Sequence, residues 1–245
     1  MLPLTILAVL ACATAPAQQK KDVFAIPQNL KVLPDNISSA EQSDVKRGFA
    51  MGLGIRCETC HVGEPNTPLE TFDFQSDEKA MKRKARLMLA MVQEINTRHV
   101  VGLNDIESAD RVEVRCVTCH RGRPQPKLIQ DVIDQQLAES GVDAAVAEYA
   151  KMRDEYYGSH SYDFSEFTLP MHAQTLVKRG DQEAAVAFAK INAENFPDSY
   201  YSHFVLAELY RMIEDASAAI ATYKRALELN PRAKPMIDAR LVELE

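Results

Sequence analysis

Apolar residues recur at intervals of three and four along two parts of this chain, and the helices that this spacing predicts organise it. Met81, Ala85, Met88, Val92, Ile95 and His99 share one face of a helix predicted over residues 77–99. Lys79, Lys82, Arg83, Lys84 and Arg86 form its charged remainder. Met91 falls about 60° off the apolar line at ~100° per residue. Upstream, Ser38 followed by Glu41 has the capping-box spacing, and the helix it opens should end at Gly52 or Gly54. Pro27 and Pro34 keep the residues between them extended. Gly63, Pro65 and Pro68 break the chain after residue 61, and Val100 to Val114 reads as a polar connection without a clear period.

From Leu128 onward the pattern becomes a repeat. Pro197 and Pro231 lie 34 residues apart, the tetratricopeptide period. Leu206, Ala207, Tyr210, Ala219, Tyr223 and Ala226 fall on that repeat's residue classes, small where paired helices touch and large where they fill the groove. In the preceding unit Leu176, Gly180, Asp181 and Ala185 match, while Ala189 stands where an aromatic is usual. Gln136 to Tyr157 reads as a degenerate unit with a longer loop after it, and Pro235 to Leu244 as a closing helix. The expected fold is therefore mostly α: a helix-pair domain over residues 18–127, then a tetratricopeptide-like α-solenoid over 128–245. Such a stack leaves a concave surface for a protein partner, or serves as scaffold within an oligomer.

Residues 1–17 read as an export signal, with the apolar run Leu2 to Ala13 and the small-x-small pattern Ala15-Pro16-Ala17. The alternative is a lipobox, Val9-Leu10-Ala11-Cys12, leaving Cys12 lipidated as an anchor to a membrane surface. Either places the protein outside the bacterial cytoplasm. Charge is uneven: 17 Lys+Arg face 15 Asp+Glu over residues 18–127, against 11 and 20 over 128–245. An acidic second half excludes nucleic acid as the expected partner.

The chemistry lies in the cysteines. Four of the five fall in Cys57-Glu58-Thr59-Cys60-His61 and Cys116-Val117-Thr118-Cys119-His120. Cys-x-x-Cys-His is the attachment signature of c-type haem. Two thiols three residues apart on one helical turn can bond both vinyl groups of one macrocycle, and the next residue brings a histidine under the iron. Two covalently attached haem c groups are expected, held by Cys57, Cys60, Cys116 and Cys119, with His61 and His120 as proximal ligands. The alternative is zinc held by both cysteine pairs, but such a site has no use for the two histidines. His160, His172 and His203, remote from both motifs, read as surface or groove residues.

Several stretches resemble the cytochrome c subunit family of photosynthetic reaction centres. They are residues 29–34 (Asn-Leu-Lys-Val-Leu-Pro), Leu53-Gly54-Ile55-Arg56 before the first motif, Asp77-Glu78-Lys79 and Ala85-Arg86. Met88-Leu89-Ala90-Met91-Val92, Ile95-Asn96, and Cys119-His120-Arg121-Gly122 with prolines following complete the set. The resemblance covers roughly Asn29 to Pro126 and implies a multihaem helix-pair domain. In it one helix supplies a sixth ligand, usually Met, and the next carries Cys-x-x-Cys-His. Photosynthetic members carry four haems; with two motifs this chain looks like a shorter relative. The resemblance implies Met88 as sixth ligand of the second haem, with Met91 as fallback. For the first haem it places Lys46 where the family has methionine. His99 is the replacement the sequence favours there, an open sixth position is the next choice, and Lys46 and Met51 are fallbacks. Arg56, Arg86, Arg121 and Arg123 are candidates for pairing haem propionates.

The expected function is single-electron transfer between redox-partner proteins, with no bond-making chemistry. The rivals are a dihaem peroxidase or small-molecule reductase working at an open first haem, and a structural subunit of a haem-conducting assembly.

Overall fold

The computed structural model describes residues 22–104 and 112–244. The export signal and Cys12 lie outside the described residues. The described chain is helical and contains no strand, only an isolated bridge between Val62 and Asp73. It divides into two compact units, one comprising residues 22–47 with 56–102, the other 48–55 with 103–244.

In the first unit helix α1 (Ser39–Leu53) begins as the capping box predicts. The Ser38 backbone N–H donates to Glu41 at 2.9 Å, and the Glu41 N–H donates to the Ser38 hydroxyl at 3.2 Å. Its last residues, from Gly48, belong to the second unit. The short helix α2 (Cys57–Cys60) follows, and then α3 (Ala80–Glu94). Helix α3 starts three residues later than the spacing predicts, and just before it the Asp77 carboxylate is bound by Lys31, Arg86 and Lys82 at 2.8, 2.8 and 3.3 Å. It continues as a π turn over Ile95–His99, where the Val100 N–H donates to Ile95 O, five residues back. That wider turn takes His99 out of the register predicted from 3.6 residues per turn. A short helix α4 (Val101–Asn104) then occupies the start of the expected polar connection.

Chain-only burial in this unit is sparse. Among its described residues only Phe72 and Val100 are buried hydrophobics, while on α3 Leu87 stays largely exposed and Met88 and Met91 partly so. Lys82, expected on the charged face, is instead buried: its ammonium donates to the carbonyls of Phe74, Gln75 and Ser76 at 2.8, 3.2 and 2.7 Å.

The second unit holds helix α5 (Cys116–His120) and a series of paired helices. The pairs are α6 (Ile129–Ser140) with α7 (Val142–Tyr156), α8 (Thr168–Arg179) with α9 (Gln182–Asn195), and α10 (Tyr200–Met212) with α11 (Ala216–Leu229). A last helix α12 (Lys234–Val242) packs on α11. The first pair begins at Ile129, earlier than the unit read from Gln136, because the Asp131 carboxylate caps the Leu128 N–H at 2.8 Å. Gly141 turns between α6 and α7 at φ +83°, which suits glycine. Phe188, Leu169, Leu176 and Ile133 form a continuous core across the first two pairs. Ala207, Ala219 and Ala226 are fully buried around Tyr223, where small side chains let helix axes approach.

His172 is a correction to the surface reading: it is buried, with Nε2 3.1 Å from Asp134, which also binds Arg179 at 2.6 Å. Burial pushes its pKa down, so it joins α8 to α6 as a neutral packing residue. Among the described residues no helix is long and apolar enough to cross a membrane.

Phe188 is fully buried, so Phe188→Ala is expected to lower stability by about 3–5 kcal/mol. Urea unfolding followed by far-ultraviolet circular dichroism measures this.

Candidate cofactor-attachment sites

Each Cys-x-x-Cys pair folds into one helical turn. In the first, the Thr59 N–H donates to Arg56 O at 3.1 Å and the His61 N–H to Cys57 O at 2.9 Å. This puts both thiols on one turn and leaves His61 extended at its end. In the second, the Thr118 hydroxyl accepts the Arg115 N–H at 3.0 Å, and Arg121 at φ +49° closes the turn after His120. All four cysteines carry free thiols. Burial raises the pKa of Cys60 and of Cys116, keeping those thiols protonated at neutral pH.

The surroundings of His61 are aromatic and cationic. Its ring meets Phe74 edge-on at 4.7 Å, and Phe74 in turn contacts Phe24 at 5.6 Å and stacks on Phe72 at 6.0 Å. Gly63 is required here, since a Cβ would lie 2.5 Å from the Phe72 ring. Nδ1 of His61 is buried without a hydrogen-bond partner among the described residues. Burial first, then the charges of Lys46, Lys82 and Arg86, lower its pKa to about 4. The imidazole is therefore neutral at pH 7, the form that ligates metal.

His120 is held differently. Its Nδ1 lies 2.9 Å from the Arg123 carbonyl, which fixes Nδ1 as donor and leaves the Nε2 lone pair free. Arg123 is itself clamped: its guanidinium lies 4.5 Å from the Tyr156 ring and 5.4 Å from that of Tyr162, and donates to the Tyr156 hydroxyl. One residue earlier in the same turn region, the Arg121 carbonyl accepts from the Ser161 hydroxyl at 3.1 Å. Helix α7 and the loop after it thus brace the segment that orients His120. Three glycines bring the end of α1 against this motif. The Gly122 N–H donates to Gly52 O at 2.9 Å. A Cβ on Gly52 would sit 2.8 Å from Cys116 Cβ, and one on Gly54 (φ +66°) 2.2 Å from Gly122 O. The sequence marked Gly52 and Gly54 as helix terminators; their tighter role is this close approach.

The remaining expected residues fall as follows. Met88 and Met91 are part-exposed on α3, Met51 is 72 % exposed, and His99 is exposed with no side-chain partner among the described residues. Lys46 is half-buried, its Nζ 4.1 Å from the Phe24 ring centroid and 4.4 Å from that of Phe74. Of the four arginines expected to meet propionates, Arg86 is engaged by Asp77 and Asn29 O, and Arg123 by its tyrosines. Sequence reasoning missed Phe24, Phe72 and Phe74 around His61 and Tyr156 beneath Arg123. The cluster of Phe72 and Phe74 within a few residues of the first motif was the available signal for the former.

These donor sets fit covalently attached haem. Each has two free thiols on one turn and an adjacent imidazole, and the first unit adds an apolar helix face that the chain itself leaves open. Among the described residues no group of three His, Cys, Asp or Glu side chains comes together as an ion site.

A family model described as photosynthetic reaction centre cytochrome C subunit matches residues 9–195. No curated protein and no solved structure matches.

Two outcomes follow. Gly54→Ala combines left-handed strain with a backbone clash and is expected to destabilise the second unit by about 1–3 kcal/mol, read as a lowered urea midpoint. The Lys31 ammonium, with Arg86 and Lys82, holds the Asp77 carboxyl well below the usual carboxylate range. Its stabilisation is full above the unfolded carboxylate value of about 3.9 and is lost as pH falls through the folded value. The stability gap between the wild type and Asp77→Asn should therefore be widest near neutrality and close in strong acid, as acid titrations at fixed urea would show.

Proposed function

Because this chain belongs to the photosynthetic reaction centre cytochrome c subunit family, we propose that it is an extracytoplasmic dihaem c-type cytochrome that passes single electrons between redox-partner proteins. Family membership implies covalent haem c, and the Cys57/Cys60 and Cys116/Cys119 spacing fits two attachment motifs. The observation that carries the reading is the pairing of each Cys-x-x-Cys turn with a positioned imidazole, His61 held neutral by burial and nearby cations, His120 oriented by its Nδ1 hydrogen bond to a carbonyl. A bound haem supplies a one-electron iron couple, with axial-ligand identity setting its potential.

The chain's residues would do the rest. Cys57 and Cys60 with His61, and Cys116 and Cys119 with His120, would hold two macrocycles. Met88 would complete the second iron, with Met91 as fallback, and a thioether ligand holds a haem potential relatively high. The exposed Leu87, Met88 and Met91 would be covered by porphyrin, giving the first unit the apolar filling its own side chains do not provide.

The helix pairs from Ile129 to Leu229 support a tetratricopeptide-like module for docking a protein partner or for assembly. Their support is the 34-residue spacing of Pro197 and Pro231 and the buried small residues between helices. We keep the functional division at residues 127/128, haem attachment before it and docking after it, although the second motif clusters with the helix pairs. Export would follow from residues 1–17, or from lipidation at Cys12.

The pyridine haemochrome assay on purified protein should report two haems per chain, and reductive titration of the ferric protein should consume one electron equivalent of reductant per haem. Met88→Ala should abolish a methionine–iron charge-transfer band in the ferric spectrum; survival of that band would remove Met88 from the ligand set. A protein with Cys57→Ala and Cys60→Ala should bind one haem and show early proteolysis within residues 22–102.

A further inference from the structure

We propose that Lys46 Nζ is the sixth ligand of the iron held by Cys57, Cys60 and His61, an inference that rests on the cytochrome reading above. Three residues compete for that position with an open site. Met51 is 72 % exposed and clusters with the second unit. His99 ends the π turn exposed, with no hydrogen-bond, ion-pair or ring partner among the described residues. Lys46 alone is brought to the histidine's own surroundings: its Nζ rests on Phe74, the ring that meets His61 at 4.7 Å.

The charge pattern singles out the same side chain. Three cations lie around His61: Lys46, Lys82 and Arg86. Lys82 is spent on three carbonyls and Asp77, and Arg86 on Asp77 and Asn29 O. Lys46 has no hydrogen-bond or ion-pair partner among the described residues, only the faces of Phe24 and Phe74. A half-buried ammonium without a counter-ion is poorly placed as a charge, and aromatic faces offset this only in part. Metal binding draws such an amine toward its deprotonated form, since only the lone pair coordinates. Amine nitrogen opposite imidazole lacks the thioether that raises potential, so the first haem would sit at a lower potential than the second.

The test uses the full chain carrying both haems, counted first by pyridine haemochrome. Ferric electron paramagnetic resonance and a spectroelectrochemical titration are then recorded for the wild type, Lys46→Ala, Lys46→Met and His99→Ala. Expected are two low-spin irons in the wild type and in His99→Ala. One iron should turn high-spin in Lys46→Ala. In Lys46→Met it should return to low-spin, with an additional methionine charge-transfer band and the lower of the two potentials raised. Two haems with one iron already high-spin in the wild type, or a Lys46→Ala spectrum unchanged from it, would overturn the ligand assignment and leave the cytochrome reading standing. A preparation without covalent haem would overturn both. Should Lys46→Ala not fold, the wild-type and Lys46→Met spectra decide.

Discussion

Everything in this protein depends on a constraint one helical turn long: two thiols and an imidazole fixed together by local backbone hydrogen bonds. At Cys57 and at Cys116 the turn is closed by backbone hydrogen bonds between residues three or four apart. What differs is how the following histidine is prepared. His61 is surrounded by phenylalanines and cations, so its neutral state comes from burial and repulsion. His120 is prepared by a single directed hydrogen bond to a carbonyl whose residue is gripped by Tyr156. Two copies of one motif thus acquire different electrostatic settings, which is the physical requirement for two sites of different potential.

The two units also differ in what holds them. The second has a side-chain core of its own, built by Phe188, Leu169 and Leu176 and extended around Tyr223, whose hydroxyl donates to Glu208 at 2.5 Å. The first relies on polar links instead. Asp77 gathers Lys31, Lys82 and Arg86, and the Lys82 ammonium ties three successive carbonyls into one loop. Such a network fixes geometry while adding little apolar burial. It is compatible with the macrocycle attachment proposed for this unit.

Much of this was legible in the sequence where the signal is local. The capping box at Ser38 and Glu41, the Cys-x-x-Cys-His turns and the helix pairs around Pro197 and Pro231 depend on residues a few positions apart, and spacing alone identifies them. What escaped depends on long-range contacts or on a break in periodicity. The π turn displaced His99 from the face that 3.6-residue counting assigns it. Lys82 looked like one more solvent-facing charge because nothing in its neighbours announces the carbonyls of residues 74–76. Arg86 and Arg123 looked free for propionates because their partners, Asp77 with Asn29 and Tyr156, lie 9 or more residues away in sequence. Of the competitors for the first iron, the sequence favoured His99 on chemical grounds; only three-dimensional placement brings Lys46 to the phenylalanine that touches His61.

The central claim is that two porphyrins are bonded to these thiols, and the mass of the intact chain tests it most directly. Protein denatured and extracted with acid acetone, then weighed, should exceed the mass of its polypeptide by two haems. It should lose one on Cys116→Ala with Cys119→Ala. A denatured chain at bare polypeptide mass from cells competent in cytochrome c maturation would contradict the account.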